Sequence, residues 1–303
     1  MPELEPLRTL DLDRATHTAG HRFLSAASGL VCAFGRAYVV GDDEHHLATF
    51  DDVHSPGRTL RLFEGDLPAH PKQRKKSKPD METLVLLQAA GGQSFLVALG
   101  SGSRDQRCRG ARVPLGPNGR PRHPVQAIDL QAFYAPLRRE LGELNIEGAL
   151  ACGDEFVLLQ RGNRGGAVSA SLHYRLDEAL RFLLGGGKPP RLLAIRIHDL
   201  GRVGGTPLSF TDGTALPDGR WLFSAVAEAS DDAVADGPCV ASAVGVMSAR
   251  HELLALHALP RREKVEGIAA RVHDGCIELA LVTDHDDPTQ PSVLLRGLWP
   301  PRA

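Results

Sequence analysis

One pattern returns five times along this chain of 303 residues, and any fold proposed for it has to contain five similar units. Each copy reads as a polar lead residue, a small residue, a mostly apolar run, a turn and a second apolar run. The leads are Ser28, Glu82, Glu147, Asp212 and Glu266, spaced 54, 65, 65 and 54 positions apart. They open Ser28-Gly-Leu-Val-Cys-Ala, Glu82-Thr-Leu-Val-Leu-Leu, Glu147-Gly-Ala-Leu-Ala-Cys, Asp212-Gly-Thr-Ala-Leu and Glu266-Gly-Ile-Ala-Ala-Arg. Asp218-Gly219 and Asp274-Gly275 stand where a tight hairpin turn fits between runs of strand length. A third apolar run and usually a fourth complete each unit, as in His45–Phe50 then Thr59–Phe63. Four antiparallel strands in about 50 to 65 residues are the signature of a propeller blade.

The last unit supplies only three runs, Gly267–Val272, Ile277–Thr283 and Val293–Leu298, before the chain ends. The segment Leu7–Asp13 is left over at the other terminus. Pairing it with the last blade closes the ring and removes a free sheet edge. The expectation is therefore an all-β, five-bladed β-propeller of four-stranded blades, one domain over residues 1–303. Its blades run approximately over 28–80, 81–145, 146–210, 211–264, and 265–303 together with 5–15. A six-bladed ring has to split a unit that shows no split, and a β-sandwich leaves the terminal strand unexplained. Two short helices are expected as departures, Asp177–Leu184 inside the third blade and Pro136–Leu141 with Pro at its first position.

Composition agrees. Gly 32 and Pro 21 supply the many turns such a ring needs. Lys+Arg 35 against Asp+Glu 37 exclude a surface built wholly to coat nucleic acid or an anionic membrane. Thr83–Ser103 is free of charge, but its polar, Gly-rich middle suits a turn between two strands better than a bilayer span. The N-terminus shows no basic segment followed by an apolar run, which points to a cytoplasmic protein. Five cysteines without a CxxC pair read as free thiols. Apparent zinc, phosphate-loop and dinucleotide motifs all fail on spacing: His251 and His257 lie six apart, and Gly185-Gly-Gly-Lys188 is followed by Pro189.

In a propeller the innermost strand of each blade lines the central channel, so the five leads converge near one mouth. Four carboxylates brought together cannot all stay ionised without a cation. Hard oxygen donors at that density suit calcium, with magnesium as the lesser alternative. The bland alternative is that these acids cap strand starts and tie neighbouring blades together. The ion ligands expected are Ser28, Glu82, Glu147, Asp212 and Glu266.

The leads in Asn145-Ile-Glu147-Gly148 and Lys264-Val-Glu266-Gly267, and the order Ser, Glu, Glu, Asp, Glu round the ring, resemble the calcium-activated nucleotidase (apyrase) propellers. More loosely, the Glu-Gly grammar resembles the phytase-like esterase propellers of bacteria. The resemblance implies a five-bladed ring with calcium held in the channel by Ser and Glu at strand starts. Two positions depart from it: Glu82 is followed by Thr83 rather than Gly, and Asp212 stands where the nucleotidases have Ser.

The connections before strand one and between strands two and three emerge on the same face of a blade. That rim gathers the stretches 41–46, 101–107, 161–164, 228–232 and 283–287, with the basic runs 72–78 and 261–264. Lys78, Arg161, Arg164 and Lys264 are the expected contacts to an anionic ligand, the run 72–78 otherwise reading as a solvated loop. His285, flanked by Asp284, is the candidate general base. The function these residues point to is a propeller that holds a divalent cation, binds a small anionic ligand and hydrolyses a phosphoester or carboxyester. The alternative is a non-catalytic scaffold for a protein partner with a structural ion. Neither nucleic acid nor membrane is expected as a partner.

Overall fold

Hairpin chemistry turns the apolar runs into meanders. Phe34 and Gly35 have φ of 53° and 70°, and Asp274 and Gly275 have 49° and 78°, the pair of positive φ values that a tight two-residue turn requires. A computed structural model describes residues 4–162, 168–229, 237–260 and 263–299. In it the strands form five antiparallel sheets, each running outward from an inner strand in sequence order. The inner strands are Ala27–Ala33 in blade I, Met81–Gln88 in blade II, Ile146–Cys152 in blade III, Thr206–Ala215 in blade IV and Lys264–His273 in blade V. Each packs beside the inner strands of both neighbours, with blade V returning to blade I. The fold is a five-bladed β-propeller.

Ring closure follows the terminal-strand arithmetic. Leu4–Thr9 pairs antiparallel with Val293–Trp299, from Leu4 opposite Gly297 to Thr9 opposite Val293, and becomes the outer strand of blade V. Blade IV carries one strand more than expected, the short Arg202–Val203 ahead of its inner strand. Apolar side chains gather in five clusters, one in each seam between adjacent blades. Burial is thus shared among five interfaces, which suits a chain of Leu, Val and Ala with few aromatics.

Three α-helices occur among the described residues. Helix α1, Pro71–Ser77, forms where the sequence suggested a solvated loop. Pro71 takes the first turn, where its missing N–H costs nothing, and Arg74 is buried, donating from Nη2 to Asp43 C=O at 2.6 Å. Helix α2 begins at Gln131 and places Pro136 in its interior rather than at its start. Phe133, Tyr134 and Leu137 bury one face, and that packing outweighs the hydrogen bond that Pro136 cannot make. Helix α3, Leu176–Gly185, lies where a helix was expected.

A shared irregularity positions the site. In every inner strand the pairing register slips by one residue near its start: between Ala27 and Leu30, Met81 and Thr83, Ile146 and Gly148, Phe210 and Asp212, and Val265 and Gly267. The unpaired residues are Glu82, Glu147, Thr211 and Glu266, with one of Ser28 and Gly29 in blade I. Bulges of this kind re-aim a side chain out of the sheet plane. The glycine that follows answers a second need, close approach of the next blade. A Cβ on Gly29 would lie 2.5 Å from Leu84 N, on Gly148 2.9 Å from Asp212 Cα, and on Gly267 2.4 Å from Ser28 O.

Candidate functional site

The bulges aim three glutamates into one cavity of about 590 Å³ at the channel mouth. Glu82, Glu147 and Glu266 line it with Ser28. The ends of the second strands, and the loops that follow them, add Asp42, Arg161 and Asp284. Lys78 and Lys264 enter just ahead of the bulges of blades II and V, and Arg107 comes from a loop of blade II. Among the described residues, no Phe, Tyr or Trp lines the cavity wall.

Charges here are interlocked. One Arg161 guanidinium nitrogen lies 3.2 Å from Glu147 Oε2 and 3.6 Å from Glu266 Oε1, and the other 2.7 Å from Glu228 Oε2, so one side chain ties blades III, IV and V. Lys264 Nζ reaches Glu266 at 3.1 Å, Glu228 at 3.3 Å and Asp286 at 2.8 Å. Lys78 Nζ lies against Asp42 Oδ2 and 3.0 Å from Asp80 Oδ1, while Arg107 Nη1 donates to Asp80 Oδ2 at 2.7 Å. Lys78, Arg161 and Lys264, three of the cations expected to meet an anionic ligand, are therefore engaged with the protein's own carboxylates. The same arrangement meets the need for positive charge that the clustered acids create.

Protonation is split within this cluster. Burial alone would raise the Asp80 carboxyl, but Lys78 and Arg107 hold it below the ordinary value. Glu82, two residues on, is pushed well above the ordinary value by burial and then by the charges of Glu147, Asp80 and Asp42. Burial likewise raises Glu147 to about 8, against the pull of Arg161. Burial also raises Glu266 and, well above its ordinary value, Asp284, in both cases against Lys264. Lys264 keeps its proton because Glu266 and Asp284 outweigh the cost of burying it.

Of the residues singled out from sequence, Ser28, Glu82, Glu147, Glu266, Asp284, Lys78, Arg161 and Lys264 are brought together. Asp212 is not. The bulge in blade IV falls on Thr211, so the Asp-Gly that mimics the Glu-Gly leads sits one residue out of phase. A one-residue slip turns a side chain to the other face. Thr211 instead donates from Oγ1 to Val265 C=O at 2.9 Å. His285 also stands outside the cavity wall, between Asp284 and Asp286, which line it. Arg164 lies outside the described residues, as do Arg261 and the stretch 230–232. Sequence reasoning passed over Asp80 as a site residue, and named Asp42 and Arg107 only as rim residues. The one available signal for Asp80 was its place two residues before a lead, directly after Lys78-Pro79.

A family model described as a family of unknown function (DUF6929) matches residues 23–297. The chain belongs to that family. No curated protein matches the sequence. Among solved structures, the catalytic domain of a GH62 α-L-arabinofuranosidase from Coprinopsis cinerea is similar with a TM-score of 0.53 and 12% identity, over 97% of this chain and 95% of that one. An α-L-arabinofuranosidase from Podospora anserina, in complex with cellotriose, has a TM-score of 0.50 and 13% identity, over 98% of this chain and 96% of that one. At these identities the likeness is one of fold.

Proposed function

We propose that the channel mouth is the active site of a hydrolase that works by carboxylate general acid–base chemistry on a glycosidic bond. The observation that carries this reading is the meeting of Asp42, Asp80 and Glu82 oxygens within 4.8 Å of one another in one cavity, where burial pushes the Glu82 carboxyl up while Lys78 and Arg107 draw Asp80 down. Carboxyl groups whose surroundings push their pKa values apart are what acid and base roles need. Glu82, whose carboxyl burial pushes well above its ordinary value, donates its proton to the leaving oxygen as the bond to the sugar carbon breaks. Asp42, with an oxygen within 4.8 Å of Glu82 and Asp80, stands at the short separation of a retaining pair: its carboxylate bonds to the sugar carbon as the leaving oxygen departs with the Glu82 proton, and a water deprotonated by the Glu82 carboxylate then displaces Asp42 from that carbon. Glu147 is a second protonated carboxyl that stabilises the departing group. A fold shared with arabinofuranosidases and a cavity of polar groups without a greasy wall support a sugar over a lipid ester.

The test is a panel of aryl glycosides, arabinofuranosides included, with aryl phosphates and acyl esters as the competing classes. Turnover of a glycoside is expected to fall by about 10²-fold or more in Glu82→Gln. The rate is also expected to decline on the alkaline side as the donor loses its proton. A panel on which only phosphates or esters turn over overturns the choice of bond, and silence on all three overturns the hydrolase reading.

A divalent cation, calcium before magnesium, is the second reading, favoured by the three oxygens of Asp42, Asp80 and Glu82 lying within 4.8 Å of one another. Lys78 Nζ is already seated against two of the three, so the donors as they stand suit an ammonium, and a metal has to displace it. A calcium-dependent rise in Tm that is lost in Glu82→Gln supports this second reading.

A further inference from the structure

A second cavity, of about 370 Å³, opens at the seam of blades V and I on the face opposite the channel mouth. It exists because this seam is lined by small side chains, Ala33, Ala37, Ala269, Ala270 and Ala280, where large ones would meet and close the gap. Leu7, Phe34 and Val53 at its edge are 38%, 45% and 39% exposed. The volume falls in the range of small-ligand pockets, about 300 to 1,000 Å³.

Charge decides what fits. Arg8 of the closing N-terminal strand lies on the wall with its guanidinium 4.6 Å over the Phe50 ring. Its hydrogen bonds all go to backbone carbonyls, Thr9 at 2.8 Å, Asp52 at 2.8 Å and Ser55 at 2.7 Å. Among the described residues it has no carboxylate within ion-pair distance. Asp52 Oδ1 accepts the amides of His54 and Ser55 at 2.7 and 2.6 Å, and the carboxylates of Asp52 and Asp11 act on Arg8 only from beyond ion-pair distance. The other guanidiniums of the cavity are matched: Arg36 pairs with Asp51, and Arg271 and Arg296 share Glu278 at 2.7 and 3.3 Å. An apolar hollow is thus bordered by four guanidiniums against three carboxylates, Asp51, Asp52 and Glu278, and Arg8 on its wall makes no ion pair among the described residues.

We infer that this seam cavity binds an amphiphilic carboxylate, its chain against the alanine wall and its head group on Arg8. The site is independent of the acidic channel mouth and stands or falls apart from the hydrolase. An occupant would bridge blade I and the closing strand of blade V, so binding stabilises ring closure.

The experiment is isothermal titration of the full chain with dodecanoate and with 1-dodecanol, alongside thermal melts. Saturable binding of one dodecanoate with a rise in Tm is expected. Filling the cavity by Ala280→Leu is expected to weaken binding by about tenfold or more, with Ala33→Leu on the facing wall as the second variant should the first fail to fold. Arg8→Gln is expected to weaken dodecanoate more than dodecanol. Partition without saturation, or affinity unchanged in both cavity-filling variants, overturns the site. Equal losses for acid and alcohol in Arg8→Gln overturn the choice of a carboxylate. Concentration-dependent self-association that Ala280→Leu abolishes, with no dodecanoate bound, assigns the hollow to a second copy and overturns the proposal as well.

Discussion

Asp212 of blade IV accepts the backbone amide of Ile268 in blade V at 3.0 Å, and with its other oxygen the amide of Gly213 at 2.7 Å. Its side chain is fully buried against inner strands and stays out of the cavity wall. Acids at the bulges thus line the cavity at the channel mouth, while this one ties inner strands together. Asp212→Ala leaves two buried N–H groups without an acceptor, at about 1–3 kcal/mol for each such group. Asp212→Asn keeps a carbonyl acceptor and is expected to cost less, since burial already pushes the Asp212 carboxyl well above its ordinary value and favours a neutral group there. Urea denaturation of the two variants checks the order. Equal losses would mean that the amides find other acceptors.

How far the sequence led can be read from the same residue. Strand-length runs and a leftover terminal segment were enough for the ring and its closure, because burial in a blade depends on local patterning. Glu82, Glu147 and Glu266 were legible because bulge, acid and following apolar run recur together. Asp212 misled because Asp-Gly imitates Glu-Gly, and a bulge placed one residue earlier leaves no trace in composition. The engagement of Arg161, Lys78 and Lys264 with acids was also hidden. Lys78 with Asp42, Lys264 with Glu228, and Arg161 with Glu228 and Glu266 meet only across blades, tens of residues apart in the chain.

Gly29 packs against the neighbouring inner strand so closely that a Cβ would meet Leu84 N at 2.5 Å and Thr83 C at 2.8 Å, both backbone. Gly29→Ala is expected to cost about 1–3 kcal/mol through forced displacement of blade II. Gly185 at the end of α3 has nothing within 4 Å of its hypothetical Cβ and no positive φ, so Gly185→Ala is expected to be neutral or to stabilise by up to about 1 kcal/mol. Thermal melts of the two single variants make the comparison. A tolerated Gly29→Ala would show that the inner strands can spread.

Arg161 compensates three buried carboxylates, so Arg161→Met takes the paired cation from Glu147 and leaves Glu228 and Glu266 to Lys264. Breaking a buried pair in this way costs about 3–5 kcal/mol. Glu147 holds its proton to about 8, whereas an unfolded Glu releases it near 4.5. Between these values the folded chain binds the extra proton, so this group's contribution to stability is present below about 4.5 and lost as pH rises through 8. The Arg161→Met penalty is accordingly expected to be larger at pH 8.5 than at pH 5. Glu147→Gln is expected to flatten the alkaline decline. Denaturation at three pH values decides, and a penalty independent of pH would count against a carboxylate origin.

Blades III and IV share a histidine network with the opposite pH sign. Trp221 Nε1, a donor only, bonds His251 Nδ1 at 3.1 Å, so the His251 proton sits on Nε2 and is donated to Glu155 at 3.0 Å. The same Glu155 oxygen accepts His173 Nδ1 at 2.8 Å, and His173 Nε2 meets Ser171 Oγ at 2.8 Å. Ser171 also reaches His198 Nε2 at 2.8 Å. Every ring nitrogen named is satisfied with neutral imidazoles. A second proton on His251 would face the indole N–H, and a metal on Nε2 would call for that same proton, so added zinc is expected to leave Tm unchanged. Burial lowers all three imidazoles, His198 to about 4. The unfolded chain binds protons near 6.5 that the folded chain refuses, so stability is full above about 6.5 and is lost as pH falls toward 4. His251 has φ 64°, which Asn tolerates, making His251→Asn the informative variant. It is expected to cost about 1–3 kcal/mol at pH 7.5 and to make the acid decline shallower. Trp221 fluorescence, followed from pH 8 to 4 with urea denaturation at each step, reads both effects, and identical acid slopes in variant and wild type would sink the assignment.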